Sequence, residues 1–321
     1  MYLTVPEMAA ELTRRPGLIP TTIDAVHRRA VWVDWEGYHC YEGFFSDSLA
    51  AWSRMRRSDP AKYISSADCF SDPAILSPEI ESGCLEPAGF IFHAGRCGST
   101  MLAKSMARSR RHLVFGEAQP HNGIWRVIPE DMGSAAGAYR NLLMLMGRRR
   151  LPSYAAHIVK LTSFNIMQYE LIRKAFPHVP VLFLFRAPAP ILESYRRAAP
   201  HWLGRDLGIR KTWGTIEAAV EDFFRAALAI EEPGFRCLDY DSLSANTLLA
   251  ILRFFHLDPP PTELRLMESE FTWNSKSLVP QIYDASSRPP PGPAPGRLDD
   301  LYAQLRRHAP LVEPGRNSVR S

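Results

Sequence analysis

The sequence predicts an α/β fold: a parallel central sheet with helices on both faces, plus an appended N-terminal segment. Three observations carry that expectation. From Gly89 onward, short apolar runs alternate with stretches of helical period, the pattern of parallel strands joined by helical crossovers. The run Val179-Pro180-Val181-Leu182-Phe183-Leu184-Phe185 is short, continuous and apolar, as a strand buried on both faces must be. The stretch from Phe90 through Gly95, Gly98 and Thr100 to Lys104 reads as strand, tight turn and helix start.

Taken in order, the chain opens on an amphipathic helix over Pro6 to Arg14, then a Pro/Gly turn and strands around Ala30 to Trp35 and Tyr38 to Phe44. Trp32, Trp35, Tyr38, Tyr41, Phe44, Phe45 and Trp52 crowd this region. Aromatics at strand spacing are core first and pocket wall second. Ser65 to Pro87, rich in Ser, Pro, Asp and Glu, reads as a connecting loop. There follow a strand at Phe90 to His93, a helix at Ser99 to Ser109, strands at His112 to Phe115 and Ala156 to Leu161, and a helix at Phe164 to Phe176. Val179 to Phe185 is expected at the centre of the sheet. A long helix at Thr212 to Ile230, a strand at Phe235 to Leu238 and a helix at Ser244 to Phe255 complete the pattern. The prolines at 289, 290, 291, 293 and 295 predict an extended linker before a last helix at Leu298 to His308. The organisation expected is an accessory segment over 1–87, an α/β domain over 88–308 and a flexible tail over 309–321.

With 321 residues, 46% of them hydrophobic, the chain can bury one large core. A net charge of only +4 suits an anionic ligand without implying nucleic acid. The basic runs Arg108-Ser109-Arg110-Arg111-His112 and Arg148-Arg149-Arg150 lack interleaved aromatics and read as solvated helix and loop ends. Five widely spaced cysteines without a C-x-x-C pair indicate neither a disulfide framework nor a zinc site, so a cytoplasmic protein is expected. No stretch reaches the about 18 apolar residues of a membrane span.

Glycines at 95 and 98 let the backbone turn tightly and approach a ligand, while the N–H groups of Gly98, Ser99 and Thr100 at a helix start attract anions. The segment is P-loop-like but departs from G-x-x-x-x-G-K-[ST]: the first glycine would fall on His93 and the lysine on Ser99, and the nearby cation is Arg96. That favours an enzyme gripping a 5'-phosphate or phosphosulfate without a metal over a metal-dependent NTPase. Glu117, Lys160 and Arg186 follow or end successive strands, and ligands of open parallel sheets bind at carboxyl ends of strands.

Three segments resemble the P-loop-derived sulfotransferases that use 3'-phosphoadenosine 5'-phosphosulfate (PAPS). They are Arg96-Cys97-Gly98-Ser99-Thr100; Leu184-Phe185-Arg186-Ala187-Pro188 with Ser194; and Leu238-Asp239-Tyr240-Asp241-Ser242-Leu243 followed by Phe254-Phe255-His256-Leu257. The resemblance covers about residues 88 to 285 and is closest in layout to the tyrosylprotein sulfotransferase branch. It implies that Arg96, Cys97, Gly98, Ser99 and Thr100 bind the 5' end of the donor, that Arg186 and Ser194 hold its 3'-phosphate, and that Ser275-Lys276 close over the nucleotide. It implies Glu117 as general base and Lys160 as the cation neutralising the transferred group. Two positions depart from the family: Ala187 stands for an aspartate, and Ala118-Gln119-Pro120-His121 replaces an arginine after the glutamate. His121 therefore rivals Glu117 as base. The implied reaction is metal-independent, in-line sulfuryl transfer to a hydroxyl, or secondarily an amine, of a small molecule or peptide. The alternatives are a kinase-like phosphotransferase using ATP and magnesium, and a non-catalytic nucleic-acid-binding protein. Arg196 to Trp213 reads as a lid offering aromatic and charged contacts, Trp202 among them.

Overall fold

The computed structural model describes residues 2–35, 37–58, 69–73, 83–272 and 295–312. Its N-terminal segment builds a small sheet from β1 (Tyr2–Leu3), β2 (Leu18–Asp24), β3 (Arg29–Asp34) and β4 (Cys69–Ser71), in the order β1-β4-β3-β2. The helix Val5–Arg14 starts on a capping box in which Glu7 accepts the Thr4 N–H at 2.8 Å. The expected Pro/Gly turn is present at Pro16-Gly17, and β2 then runs through Pro20, which sits at a register shift on the edge of this sheet. An edge bulge is where a strand tolerates proline.

Tyr38 to Phe44 is not a strand. The Glu42 carboxylate accepts from the Tyr38 hydroxyl (2.8 Å), the Tyr41 N–H (3.1 Å) and the Ser48 hydroxyl (2.8 Å), and so gathers the stretch into a loop before the helix Phe45–Ser58. Side-chain bonds of this kind compete with a strand ladder.

The main sheet is built from β5 (Pro87–His93), β6 (His112–Gly116), β7 (Ala156–Lys160), β8 (Val181–Phe185) and β9 (Phe235–Asp239), all parallel, in the order β6-β7-β5-β8-β9. Strand alternation sends side chains to two separate cores. Ile91, Val114, Ile158, Leu182, Leu184 and Leu238 face the helices Ser99–Ala107 and Ala245–Phe254. Phe92, Phe115, Val159, Phe183 and Phe235 face the helices Met132–Met146, Tyr169–Ala175, Ile216–Leu228 and Gly296–Leu305. Helices thus cover both faces. The strand β8 is interior, but the centre is β5, because the crossovers place two strands on either side of it.

The N-terminal sheet shares its apolar core with this second face: Trp35 stacks on Phe45 (5.1 Å between centroids) and meets Phe115 edge-on at 6.1 Å. Two arginines expected to be solvated stitch the units together. Arg148 is buried and donates to the carbonyls of Leu12 and of Pro16 (3.3 Å). Arg150 is buried with its guanidinium 5.2 Å from the Phe115 ring centre and 5.5 Å from that of Trp35. In such places an arginine's planar charge is satisfied by carbonyls and ring faces rather than by water.

Other expectations shift. The helix predicted over Phe164 to Phe176 splits into a 3-10 segment, Ser163–Gln168, and the helix Tyr169–Ala175. The helix Met132–Met146, capped by Asp131 accepting from the Ser134 N–H at 2.9 Å, had no counterpart in the sequence reading. Residues 309–312, expected in the tail, lie along β9, where the Cys237 N–H donates to Ala309 O (2.8 Å) and the Leu311 N–H to Cys237 O (2.9 Å). Most of the expected proline linker and the end of the tail fall outside the described residues.

Gly116, the last residue of β6, touches the N-terminal segment so closely that a Cβ there would run into the Gly43 carbonyl. Gly116→Ala is expected to destabilise the protein by about 1–3 kcal/mol, the usual cost of overpacking, in urea unfolding. Wild-type stability would mean that the two units do not approach as described.

Candidate active site

With every strand of the main sheet parallel, the loops after β5, β6, β7 and β8 emerge on one edge, and this edge carries Arg96 to Thr100, Glu117, Lys160 and Arg186. The loop after β5 turns through Gly95 (φ 87°), Arg96 (φ 55°) and Gly98 (φ 82°). A Cβ on Gly95 would strike the Tyr195 hydroxyl, and one on Gly98 would come within 2.8 Å of Leu243 and 3.1 Å of Tyr240. The loop is therefore gripped from both sides, and Gly98 ends it as N-cap of the helix Ser99–Ala107. Among the described residues no carbonyl accepts from the N–H of Gly98 or Thr100, donors that a helix start leaves for a ligand. Cys97 is buried, its thiol directed at Leu184 O (3.3 Å) and pushed up to about 11 by burial. It is a packing group, not a nucleophile.

Arg96 donates to Ala198 O (2.8 Å) with its guanidinium over the Tyr195 ring. Arg186 lies over the Tyr240 ring, 4.1 Å from its centre, and reaches the Arg96 carbonyl at 3.5 Å. Ser194 is half-buried in the helix Pro188–Arg197 that follows. Among the described residues no hydrogen bond joins it to Arg186. Ser275 and Lys276 lie outside the described residues.

Glu117 and Lys160 come together. Gly116 and Lys160 are register partners on β6 and β7, and the Glu117 N–H donates to Lys160 O at 2.7 Å. Glu117 adopts a left-handed φ of 52°, an uncommon setting for a residue other than glycine. Its carboxylate accepts from the Lys160 ammonium. The Lys160 side chain is 0% exposed and that of Glu117 19%. Burial works to raise the Glu117 pKa, but the Lys160 charge beside it and the His93 ring outweigh burial and hold the carboxyl below its ordinary value. The Phe44 ring covers the pair from the N-terminal segment, 4.6 Å from the ammonium.

His121 has a different setting. It is fully buried, neither ring nitrogen has a hydrogen-bond partner among the described residues, and burial, with His157 nearby, pushes its pKa down to about 3. Trp202 and Trp213 are likewise buried, packed edge-on against each other and against Phe223. The stretch read as a lid offers these rings to the core.

Three residues of the site were not singled out by the sequence reading. His93, the last residue of β5, stands 3.4 Å from Glu117; its only sequence signal is its place in the turn motif. Tyr195 and Tyr240 bracket the turn, and only packing brings them there. Among the described residues no group of three or more His, Cys, Asp or Glu is placed to hold a metal ion, and no helix is long and apolar enough to cross a membrane.

The sequence matches no protein-family model and no curated protein. Among solved structures the chain is similar to the sulfotransferase domain from the Synechococcus PCC 7002 olefin synthase, at 14% identity and a TM-score of 0.46 over 71% of this chain and 97% of that one. It is also similar to a sulfotransferase from Mycobacterium tuberculosis H37Rv, at 13% identity and a TM-score of 0.41 over 70% and 77%.

Removing the Lys160 charge strands a largely buried carboxylate, a change that costs about 3–5 kcal/mol. In the wild type the lowered Glu117 pKa contributes stability that is present in full above the ordinary carboxylate value of 4.5 and is lost as pH falls through the folded value. In Lys160→Met only the His93 ring is left to oppose burial, so the Glu117 pKa rises above its wild-type value and the carboxyl takes up a proton more readily on acidification. The stability gap between wild type and Lys160→Met in urea unfolding should be largest at pH 7.5 and narrower at pH 5. An equal gap at both would show that this pair is not its source.

Proposed function

We propose that the chain is a sulfotransferase that moves the sulfuryl group of PAPS to an acceptor hydroxyl, with Glu117 as general base. The single observation that carries the reading is the Glu117–Lys160 pair at the strand edge beside a glycine-turned helix start. A carboxylate and an ammonium in contact, next to an anion-binding turn, supply a proton acceptor and a charge stabiliser where a phosphosulfate would be held.

The residues present fit the donor's two anionic ends. The Gly95–Gly98 turn takes the positive φ values that a phosphate-binding turn uses and ends at a helix N-terminus where the N–H groups of Gly98 and Thr100 have no carbonyl partner among the described residues, the kind of donors a 5'-phosphosulfate requires. Arg186 has no carboxylate partner among the described residues, and a guanidinium held flat on a tyrosine ring keeps its edge for a 3'-phosphate. PAPS supplies the sulfuryl group. Glu117 accepts the proton of the attacking hydroxyl, and Lys160 and Arg96 stabilise charge developing toward the leaving phosphate. Such a transfer leaves little covalent work for the protein, so positioning and electrostatics dominate. The enclosure of His121 favours Glu117 over it, since an acceptor must reach its base.

The deciding experiment is thermal unfolding with 3'-phosphoadenosine 5'-phosphate (PAP) in EDTA. A ligand of the native state at about 100 times its Kd adds about 2.7 kcal/mol, so Tm should rise. A rise with magnesium and ATP but none with PAP would overturn the reading in favour of a kinase. Arg186→Ala should weaken PAP binding by about 1.5–3 kcal/mol in calorimetry while leaving an analogue without the 3'-phosphate unaffected; equal loss for both would make Arg186 structural. Glu117→Gln should lower turnover by about 10² to 10⁴ with PAP affinity retained, and near-normal turnover would remove Glu117 from the base role.

A further inference from the structure

His93 ends the central strand, is buried, and has no part in the reaction as set out above. Strand alternation puts it on the same face as Ile91, whose register partner on β7 is Lys160. Its ring is addressed from both sides. The Gly95 N–H donates to Nδ1 at 3.0 Å, and Nε2 stands 3.4 Å from Glu117 Oε1. A neutral imidazole that accepts at Nδ1 carries its proton on Nε2; that buried N–H has no hydrogen-bond partner among the described residues, and the Glu117 carboxylate stands beside it, short of hydrogen-bond geometry. The Lys160 ammonium bonds the same oxygen, Oε1. Among the described residues no hydrogen bond reaches Oε2.

From this geometry we infer that His93 is a positioning residue: with Lys160 it holds Glu117 by one carboxylate oxygen and leaves Oε2 as the atom that receives the acceptor's proton. The inference rests on the reading of Glu117 as general base. Once the unpartnered Nε2–H closes on the oxygen that Lys160 already bonds, two donors fix the plane of the carboxylate, and a base held in one orientation spends less of the reaction barrier on alignment. Burial opposes a charge on the ring and lowers its pKa, which keeps His93 a neutral donor. A ring that served only to brace the glycine turn would need Nδ1 alone, and this difference gives the test.

Asparagine can place an acceptor near the Nδ1 position and glutamine a donor near that of Nε2. His93→Asn therefore keeps the bond to Gly95 and loses the donor beside Glu117, while His93→Gln does the reverse. Turnover is read as PAP release from PAPS with an acceptor that the wild-type chain uses, chosen from a panel of phenols, alkanols and tyrosine peptides. His93→Gln should stay within about threefold of wild type and His93→Asn should fall by about tenfold or more in kcat, with acceptor KM and PAP affinity little changed. The opposite order, or equal losses, overturns the inference. A second measurement needs neither acceptor nor donor. In the full chain labelled with ¹⁵N-histidine, His93 should show the Nε2–H tautomer, and its Nε2 resonance should move in Glu117→Gln. An Nδ1–H tautomer, or no response, overturns the inference. Failure of the sulfuryl-transfer reading would appear separately, as an absence of PAP binding by the wild type.

Discussion

A lysine whose side chain is wholly buried sets the terms for the strand edge. Lys160 ends β7 with no exposed surface, and an ammonium removed from water must find a counter-charge and hydrogen bonds or give up its proton. Glu117 supplies the counter-charge, but only because the chain leaves β6 through a left-handed turn and because the backbone bond to Lys160 O carries the sheet ladder one residue further. The ring of Phe44 then closes over the ammonium. Local strain, burial and charge are mutually dependent here: relaxing the Glu117 turn would move the carboxylate off the lysine, and removing the lysine would leave the carboxylate with little reason to stay.

The same constraint explains why the N-terminal segment is more than an appendage. Its 37–44 loop, gathered around Glu42, brings Gly43 against Gly116 and Thr100 and Phe44 against Lys160. Arg148 and Arg150 also hold that segment, through backbone carbonyls and aromatic faces. A sheet of four short strands has little core of its own; Trp35, Phe45 and Trp52 complete one only by joining the core beneath the main sheet. The segment is thereby held where it forms a wall of the site.

Much of the main sheet was legible because its signals are local. Continuous apolar runs mark strands buried on both faces, and a glycine-containing turn before a helical pattern marks a strand-to-helix turn. These carried β5, β7, β8 and β9 to within a few residues of their observed bounds. Order in the sheet is not local: whether β5 or β8 is central depends on crossovers. The Tyr38 to Phe44 loop misled the reading because aromatic content resembles a strand, while the deciding interaction is a carboxylate binding groups from residues 38 to 48. Arg148 and Arg150 looked solvated because a run of arginines does not say which carbonyls or rings await it. In the site, Glu117, Lys160 and Arg186 were readable from their places after strands. His93 was not, since a histidine ending an apolar run has no pattern that distinguishes a core ring from one placed beside a carboxylate.

Charge balance at the edge bears on how such a site would work. Arg96, Arg186 and Lys160 are set against Glu117, and only Lys160 is in contact with it. While that contact holds, the ammonium stabilises the carboxylate and makes it a weak proton acceptor. A base of this kind gains proton affinity when its cation is drawn toward another anion, so under the proposed function Lys160 would couple two tasks. In sulfuryl transfer, engagement of the ammonium with negative charge near the glycine turn would weaken its hold on Glu117 as the acceptor is deprotonated. His93, a neutral donor, would keep the carboxylate oriented through that exchange without suppressing its basicity as a full charge does. Under the proposed function the charged donor would set when Glu117 becomes basic, and the neutral one, once closed on the same oxygen, would set the direction in which it is basic.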